Sequence, residues 1–173
     1  TKLLLRYISK EYLDQKSFLE LGAGSGLLSI YAAKNGAKVV ASDINPISVQ
    51  CVRTNSVENS VDINTIQSDV FENIPQQRFD FILINPPYYK KNPASVSDYA
   101  WYCGEKGEYF QSLFQNLDGY VHENSKVIMV LCDGCDLEMV KELAKKNKFT
   151  LRRVQKNETI IETNYIFIIE GLK

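Results

Sequence analysis

Short apolar runs alternate with helix-patterned stretches along most of this chain, and that alternation constrains its fold more than any other feature. Ser17–Leu21, Ala37–Ser42, Ile63–Gln67, Phe79–Ile84 and Lys126–Cys132 read as strands. Between them, Leu27–Lys34, Asn45–Ser56, Gly107–Leu117 and Asp136–Lys146 read as helices; Asn35-Gly36 stops the first, and Pro46 suits the opening turn of the second. Strands spaced by helices run parallel, with helices over both faces. Phe149–Gln155 and Glu162–Glu170, joined near Lys156-Asn157-Glu158, predict a closing antiparallel hairpin, and the apolar spacing of Leu3 to Leu13 predicts an opening amphipathic helix. The reading is an α/β fold with a mostly parallel sheet, a single domain over residues 1–173. The chain starts at Thr1, without Met and inside helical spacing, so a few preceding residues are expected in the full protein.

Composition narrows the function classes. Twenty Lys+Arg against 21 Asp+Glu leave a net charge of −1, which argues against nucleic-acid binding driven by bulk positive charge. No apolar run reaches the 18 or so residues of a membrane span, and there is no secretory leader pattern, so the expectation is a cytoplasmic protein with no membrane partner. Cys51, Cys103, Cys132 and Cys135 read as reduced thiols. Cys132 and Cys135 form a C-x-x-C, but no second Cys/His pair completes a zinc site, so a strand end running into a helix is expected there, with no metal. His122 has no sequence partner and reads as ordinary structure.

Ligands of an open parallel sheet bind beyond the carboxyl ends of its strands, and three of those ends here carry unusual residues. The first is Glu20-Leu21-Gly22-Ala23-Gly24-Ser25-Gly26, where glycines allow close backbone approach. The third glycine comes one residue earlier than in G-x-G-x-x-G. That spacing disfavours a dinucleotide and a dehydrogenase, and is the one seen for S-adenosyl-L-methionine (SAM). On that reading the glycines pack on the methionine portion and Glu20 lies near its ammonium. The second end is Asp43, 21 positions after Gly22, where a carboxylate can accept both ribose hydroxyls. Asp69, after the third strand, is expected to accept from the adenine amine, with Ile44 and Val70 against the ring.

The third end, Asn85-Pro86-Pro87-Tyr88, is the most specific. Prolines explain a strand stop, but not the Asn before them or the aromatic after them. A planar amide or aryl-amine nitrogen is a poor nucleophile because its lone pair is delocalised. The Asn85 side-chain oxygen and the Pro86 carbonyl can accept its two N–H bonds, turning the lone pair toward an electrophilic methyl, while Tyr88 stacks on the planar group. Orientation of this kind supplies roughly 7–11 kcal/mol of a barrier.

Together Glu20–Gly26, Asp43, Asp69 and Asn85–Tyr88 resemble the seven-stranded, Rossmann-like, SAM-dependent methyltransferases with an NPPY motif, and within them the HemK-like glutamine and N6-adenine type. The resemblance implies strand order 3-2-1-4-5-7-6 and SAM across the ends of the first four strands. Thr1-Lys2-Leu3-Leu4-Leu5 resembles the family segment that closes over SAM, with Thr1 near its methionine end, and Ala100–Gly107 resembles the helix entry after the motif. The implied activity is methylation of a glutamine amide of a translation release factor, with the exocyclic amines of adenine N6 or guanine N2 in rRNA, tRNA or DNA as the alternative and a non-catalytic SAM-binding module as a rival class. A core without a recognition domain of its own often borrows one, so the expectation is either a small partner subunit or recognition through residues that precede Thr1. The long Tyr88–Lys106 connection reads as a mobile lid over the substrate. Lys90, Lys91 and the basic residues of 145–156 are expected along one rim, with Tyr88, Tyr89, Tyr99 and Tyr102 available for stacking and Trp101 in the core.

Overall fold

The computed structural model describes residues 1–160 and 162–172. Its centre is one seven-stranded sheet: β1 (Ser17–Leu21), β2 (Lys38–Asp43), β3 (Ile63–Gln67), β4 (Phe81–Ile84), β5 (Lys126–Cys132), β6 (Phe149–Glu158) and β7 (Thr163–Gly171). Their order is β3-β2-β1-β4-β5-β7-β6, with only β7 antiparallel to its neighbours. Five helices flank it: α1 (Lys2–Ile8), α2 (Leu27–Lys34), α3 (Pro46–Glu58), α4 (Glu108–Asn116) and α5 (Leu137–Lys146). Each sheet face has its own core. Leu19, Leu21, Ile82, Ile84 and Met129 meet α4 and α5 through Phe110, Leu113, Phe114 and Val140. Phe18, Ala41, Leu83 and Ile128 meet α1 and α2 through Leu4, Ile8, Leu28 and Ala32. The expected α/β class and strand order are what the structure has.

The helix signals act locally as expected. The Asn45 side chain accepts from Ile47 N at 2.9 Å with Pro46 in the first turn of α3. Asp136 accepts from Met139 N at 3.0 Å and caps α5. Cys132 closes β5 and Cys135 N–H donates to its carbonyl at 3.1 Å, so the C-x-x-C forms a strand-to-helix turn. Among the described residues no His/Cys/Asp/Glu group is placed to hold a metal, and no helix is long and apolar enough to cross a membrane.

Four expectations need correction. The opening helix ends at Ile8; Tyr12 points outward at 72% exposure, while Leu13 enters the core from the turn before β1. The hairpin does not turn at 156–158: β6 continues to Glu158 past a bulge between Arg153 and Gln155, and the turn is made beyond it. Trp101 is 58% exposed rather than core. The basic residues do not share a rim, because β6 runs parallel to β5. Lys145, Lys146 and Lys148 therefore precede β6 at the amino end of the sheet, whereas Lys90 and Lys91 follow β4 at the carboxyl end. Arg152 and Lys156 are also paired to Glu170 and Glu158.

At the amino end, Asp80 fastens the middle strands. Its Oδ2 accepts from Ser17 N and Ser17 Oγ, both at 2.9 Å, and its Oδ1 lies 3.6 Å from Lys16 Nζ and from His122 Nε2. Its backbone carbonyl accepts from Lys126 N. The Ser17 bonds, ahead of the nearby cations, hold the Asp80 carboxyl below the usual carboxylate range. Its contribution to stability is thus present above that range and lost as pH falls through the lowered value. Asp80→Ala is expected to cost about 1–3 kcal/mol in denaturant unfolding at neutral pH, with the gap from the unaltered chain closing in strong acid.

Candidate active site

The order β2-β1-β4 places three strand ends side by side, and a cavity opens there. Glu20 to Ser25 from the β1–α2 turn form one wall. Asp43, Ile44 and Ser48 after β2 form the next, then Ser68 to Val70 after β3, and Asn85 and Pro87 after β4. Val96, Tyr99 and Ala100 close the side, with Tyr109 of α4 and Thr1 at the edges. The structure therefore brings together Thr1, Glu20, Gly22, Ala23, Gly24, Asp43, Ile44, Asp69, Val70, Asn85 and Pro87 from the residues expected at the site.

The glycine turn is built from backbone bonds. Gly22 N and Ala23 N both donate to Ser42 O at 2.9 Å, and Gly24 N donates to Asp43 Oδ2 at 2.9 Å. Gly24 has φ +55, and a Cβ added there would stand in open space within the turn; an alanine would be strained by its backbone, not by crowding. Gly26 stands apart from the expected cradle. It does not line the cavity; an added Cβ would lie 3.1 Å from both Val52 methyls, so this glycine lets α2 approach α3. Asp43 is also more than a ligand acceptor. Its Oδ1 takes Asn45 N and its Oδ2 takes Gly24 N, so it joins the β2 end to the glycine turn while each oxygen keeps a second lone pair.

Glu20 is 4% exposed. Ser29 N at 2.9 Å and Ser29 Oγ at 2.5 Å both donate to Oε2, while among the described residues Oε1 takes no bond. Burial, with a smaller contribution from the nearby Asp43 charge, pushes its pKa up to about 7 against the two Ser29 bonds. Burial likewise raises the Asp69 carboxyl, with Glu72 adding to it. Val70 adopts φ +46, a left-handed backbone that a β-branched residue rarely takes. It is held there by Ser68, whose Oγ donates to Val70 O and accepts from Asn73 N. Strain of this kind costs of order 1–3 kcal/mol and concentrates at ligand sites.

Three carboxylates thus share one cavity with no Lys, Arg or His among its described lining residues. The donor set suits a ligand that brings positive charge and several N–H or O–H groups. SAM carries an ammonium, a sulfonium, two ribose hydroxyls and an adenine amine, and fits.

At the β4 end, Asn85 is exposed while Pro86 and Pro87 are buried. Asn85 Nδ2 donates to Thr1 Oγ1 at 3.3 Å, which leaves Oδ1 as the acceptor. Among the described residues nothing donates to the Pro86 carbonyl. Tyr88 lies outside this cavity and lines a second one with Thr1, Leu3, Asn85, Val130 and Leu131. Burial, then Cys132, keeps its phenol neutral well above the ordinary range. The connection read as a mobile lid carries bonds of its own: Tyr89 N donates to Trp101 O, Cys103 N to Tyr89 O, and Ser95 with Asp98 forms a capping box on a short 3-10 turn, 96–100. That turn walls the first cavity. Tyr99, expected as a ring for stacking at the rim, walls this cavity instead, and Tyr109 and Val96 were missed from sequence. Tyr109 sits beside the apolar face of α4 and meets Phe110 edge-on, so nothing in its spacing separates it from core.

Because Glu20 keeps in the folded state a proton that it releases when unfolded above about pH 4.5, stability is expected to decline by roughly 3 kcal/mol between pH 4.5 and 7. Denaturant unfolding across that range should show the decline, and Glu20→Gln, which keeps an acceptor for Ser29, should flatten it.

Comparison with known proteins agrees with this geometry. Residues 1–101 match the model of the family described as Methyltransferase small domain. A Methanocaldococcus jannaschii protein named for N5-glutamine methylation of protein is 50% identical over 77 residues, 44% of this chain and 39% of that one. Curated relatives are matched over about two fifths of their length or less. The Mtq2–Trm112 complex of E. cuniculi, which methylates the eRF1 termination factor, superposes with TM-score 0.72 at 19% identity over 98% of this chain and 93% of that one. The T. thermophilus 16S rRNA N2 G1207 methyltransferase, solved with AdoMet and guanosine, superposes with TM-score 0.69 at 19% identity over 99% and 42%. With the sheet order, the three strand-end carboxylates and a family match over more than half its length, the chain belongs to the methyltransferase small-domain family.

Proposed function

We propose that this chain methylates a planar nitrogen with SAM as donor, and that the acceptor is a glutamine side-chain amide of a translation release factor. One observation carries the reading: Asn85 lines two cavities at once, with an acceptor oxygen left by its bond to Thr1. An atom there can face donor and acceptor together. The resemblance to the Methanocaldococcus jannaschii protein supports the amide. The guanosine bound to the T. thermophilus enzyme supports the second reading, an exocyclic amine of RNA.

SAM supplies an electrophilic methyl group; the chain supplies position. Glu20 would meet the ammonium, Asp43 the ribose hydroxyls, and Asp69 with Ile44 and Val70 the adenine. Asn85 Oδ1 and the Pro86 carbonyl would accept the two N–H bonds of the target nitrogen, drawing electron density to it and aiming its lone pair. Tyr88, held neutral, would pack on the planar group. With SAM bound, its methyl would pass from sulfur to the nitrogen, the S–C bond breaking to leave S-adenosylhomocysteine. The N–H made acidic by the transfer would give its proton to water, with Asn85 Oδ1 and the Pro86 carbonyl holding the nitrogen in place meanwhile. A strongly shifted base is unnecessary. A small partner subunit, as in the E. cuniculi complex, would extend recognition of the release factor.

Asn85→Ala is expected to lower turnover roughly 100-fold or more with little change in donor affinity, since its acceptor acts on the reacting nitrogen. Asp43→Ala is expected to weaken donor binding by about 1–3 kcal/mol. Calorimetry with S-adenosylhomocysteine separates the two; equal loss of binding in both, with turnover intact, would reverse the roles. Donor-product affinity is also expected to rise as pH increases through about 7, with proton release, because the ammonium favours ionised Glu20.

A further inference from the structure

We propose that the second cavity binds the acceptor as an extended peptide with an acidic residue beside the target glutamine, read by α1 and the end of the β6–β7 hairpin. The inference rests on the methyl-transfer reading and concerns what lies opposite Asn85. The cavity is floored by Tyr88, Val130 and Leu131. Across the floor stand Asn157, Glu162 and Asn164 from the hairpin, and Lys2 and Arg6 from α1.

Each side chain points to the same ligand class. Amides offer donors and an acceptor together, and so match the alternating C=O and N–H groups of an extended backbone. Asn164 Nδ2 already donates to Glu162 Oε1 at 3.0 Å, which fixes Asn164 with its oxygen available. A nucleic-acid strand asks for different walls, with stacking rings in series. Here Tyr88 is the one ring among the described lining residues, and the exposed rings of Tyr89, Tyr99 and Trp101 lie outside the cavity.

Lys2 and Arg6 supply the charge preference. They stand four residues apart, on one face of α1. Neither has an acidic partner among the described residues, whereas Lys90, Lys126, Arg152 and Lys156 each have one. An acidic side chain flanking the glutamine would complete them.

The test uses the chain loaded with S-adenosylhomocysteine and blocked peptides bearing one glutamine between glycines, flanked by aspartate in one and by lysine in its twin. By calorimetry the aspartate peptide should bind about tenfold tighter than the lysine twin, the ratio given by one charged contact of about 1.4 kcal/mol. Arg6→Ala should erase that ratio, Asn157→Ala should weaken both peptides, and Trp101→Ala should change neither. Oligoadenylate of similar length should not compete. Equal affinity of the twins, absence of peptide binding, or displacement by oligoadenylate would overturn the proposal. Failure of the unaltered chain to bind S-adenosylhomocysteine at all would instead remove the methyl-transfer reading beneath it.

Discussion

The reversal of strand order between β1 and β4 is the constraint on which the site depends. From β1 the chain winds outward through β2 to β3, then returns to pair β4 against the free side of β1. Connections leaving in opposite directions cannot fill the space above that pair, and a crevice is the geometric result. Everything placed there hangs from strand ends. The glycine turn follows β1, Asp43 ends β2 and Asn85 follows β4, so their separations are set by ladder spacing and not by flexible loops.

That rigidity makes the electrostatics of the crevice possible. Burial disfavours the charge on Glu20 and on Asp69, and a neighbouring carboxylate adds to each, Asp43 to the first and Glu72 to the second. Backbone and serine donors offset part of this: Ser29 on Glu20, and Gly24 and Asn45 on Asp43. What they do not offset keeps the Glu20 carboxyl raised, so a cationic, donor-rich ligand that favours its ionised form gains there, beside the left-handed Val70 backbone. Core packing on both faces and the Asp80 fastening at the far end hold the sheet while this end carries the strain.

How much of this the sequence disclosed depends on how local the cause is. β1, α2, β3 and β5 match residue for residue, since Gly26, Asn35-Gly36 and the apolar runs mark their limits. α1 was read too long because Tyr12 and Leu13 continue its apolar spacing after the chain has left the helix. Lys156-Asn157-Glu158 looks like a turn, yet on an edge strand charged residues are tolerated and the ladder runs through them. Trp101 was expected inside because it is large and apolar, and no local rule reveals that the 96–100 turn holds it outward. Gly26 showed the right residue type for a ligand cradle, but Val52, which explains it, is distant in sequence. The second cavity was invisible for the same reason: α1 and the hairpin meet only after the sheet forms.

Thr1 and Asn85 are the two described residues that line both the crevice and its neighbour. Their side chains are bonded to each other at 3.3 Å, so a pair of small polar groups stands between the chambers where packed core would otherwise divide them. On the methyl-transfer reading, the two reactants would come from different sides and meet at that pair, and a spent nucleoside would leave without displacing a macromolecule.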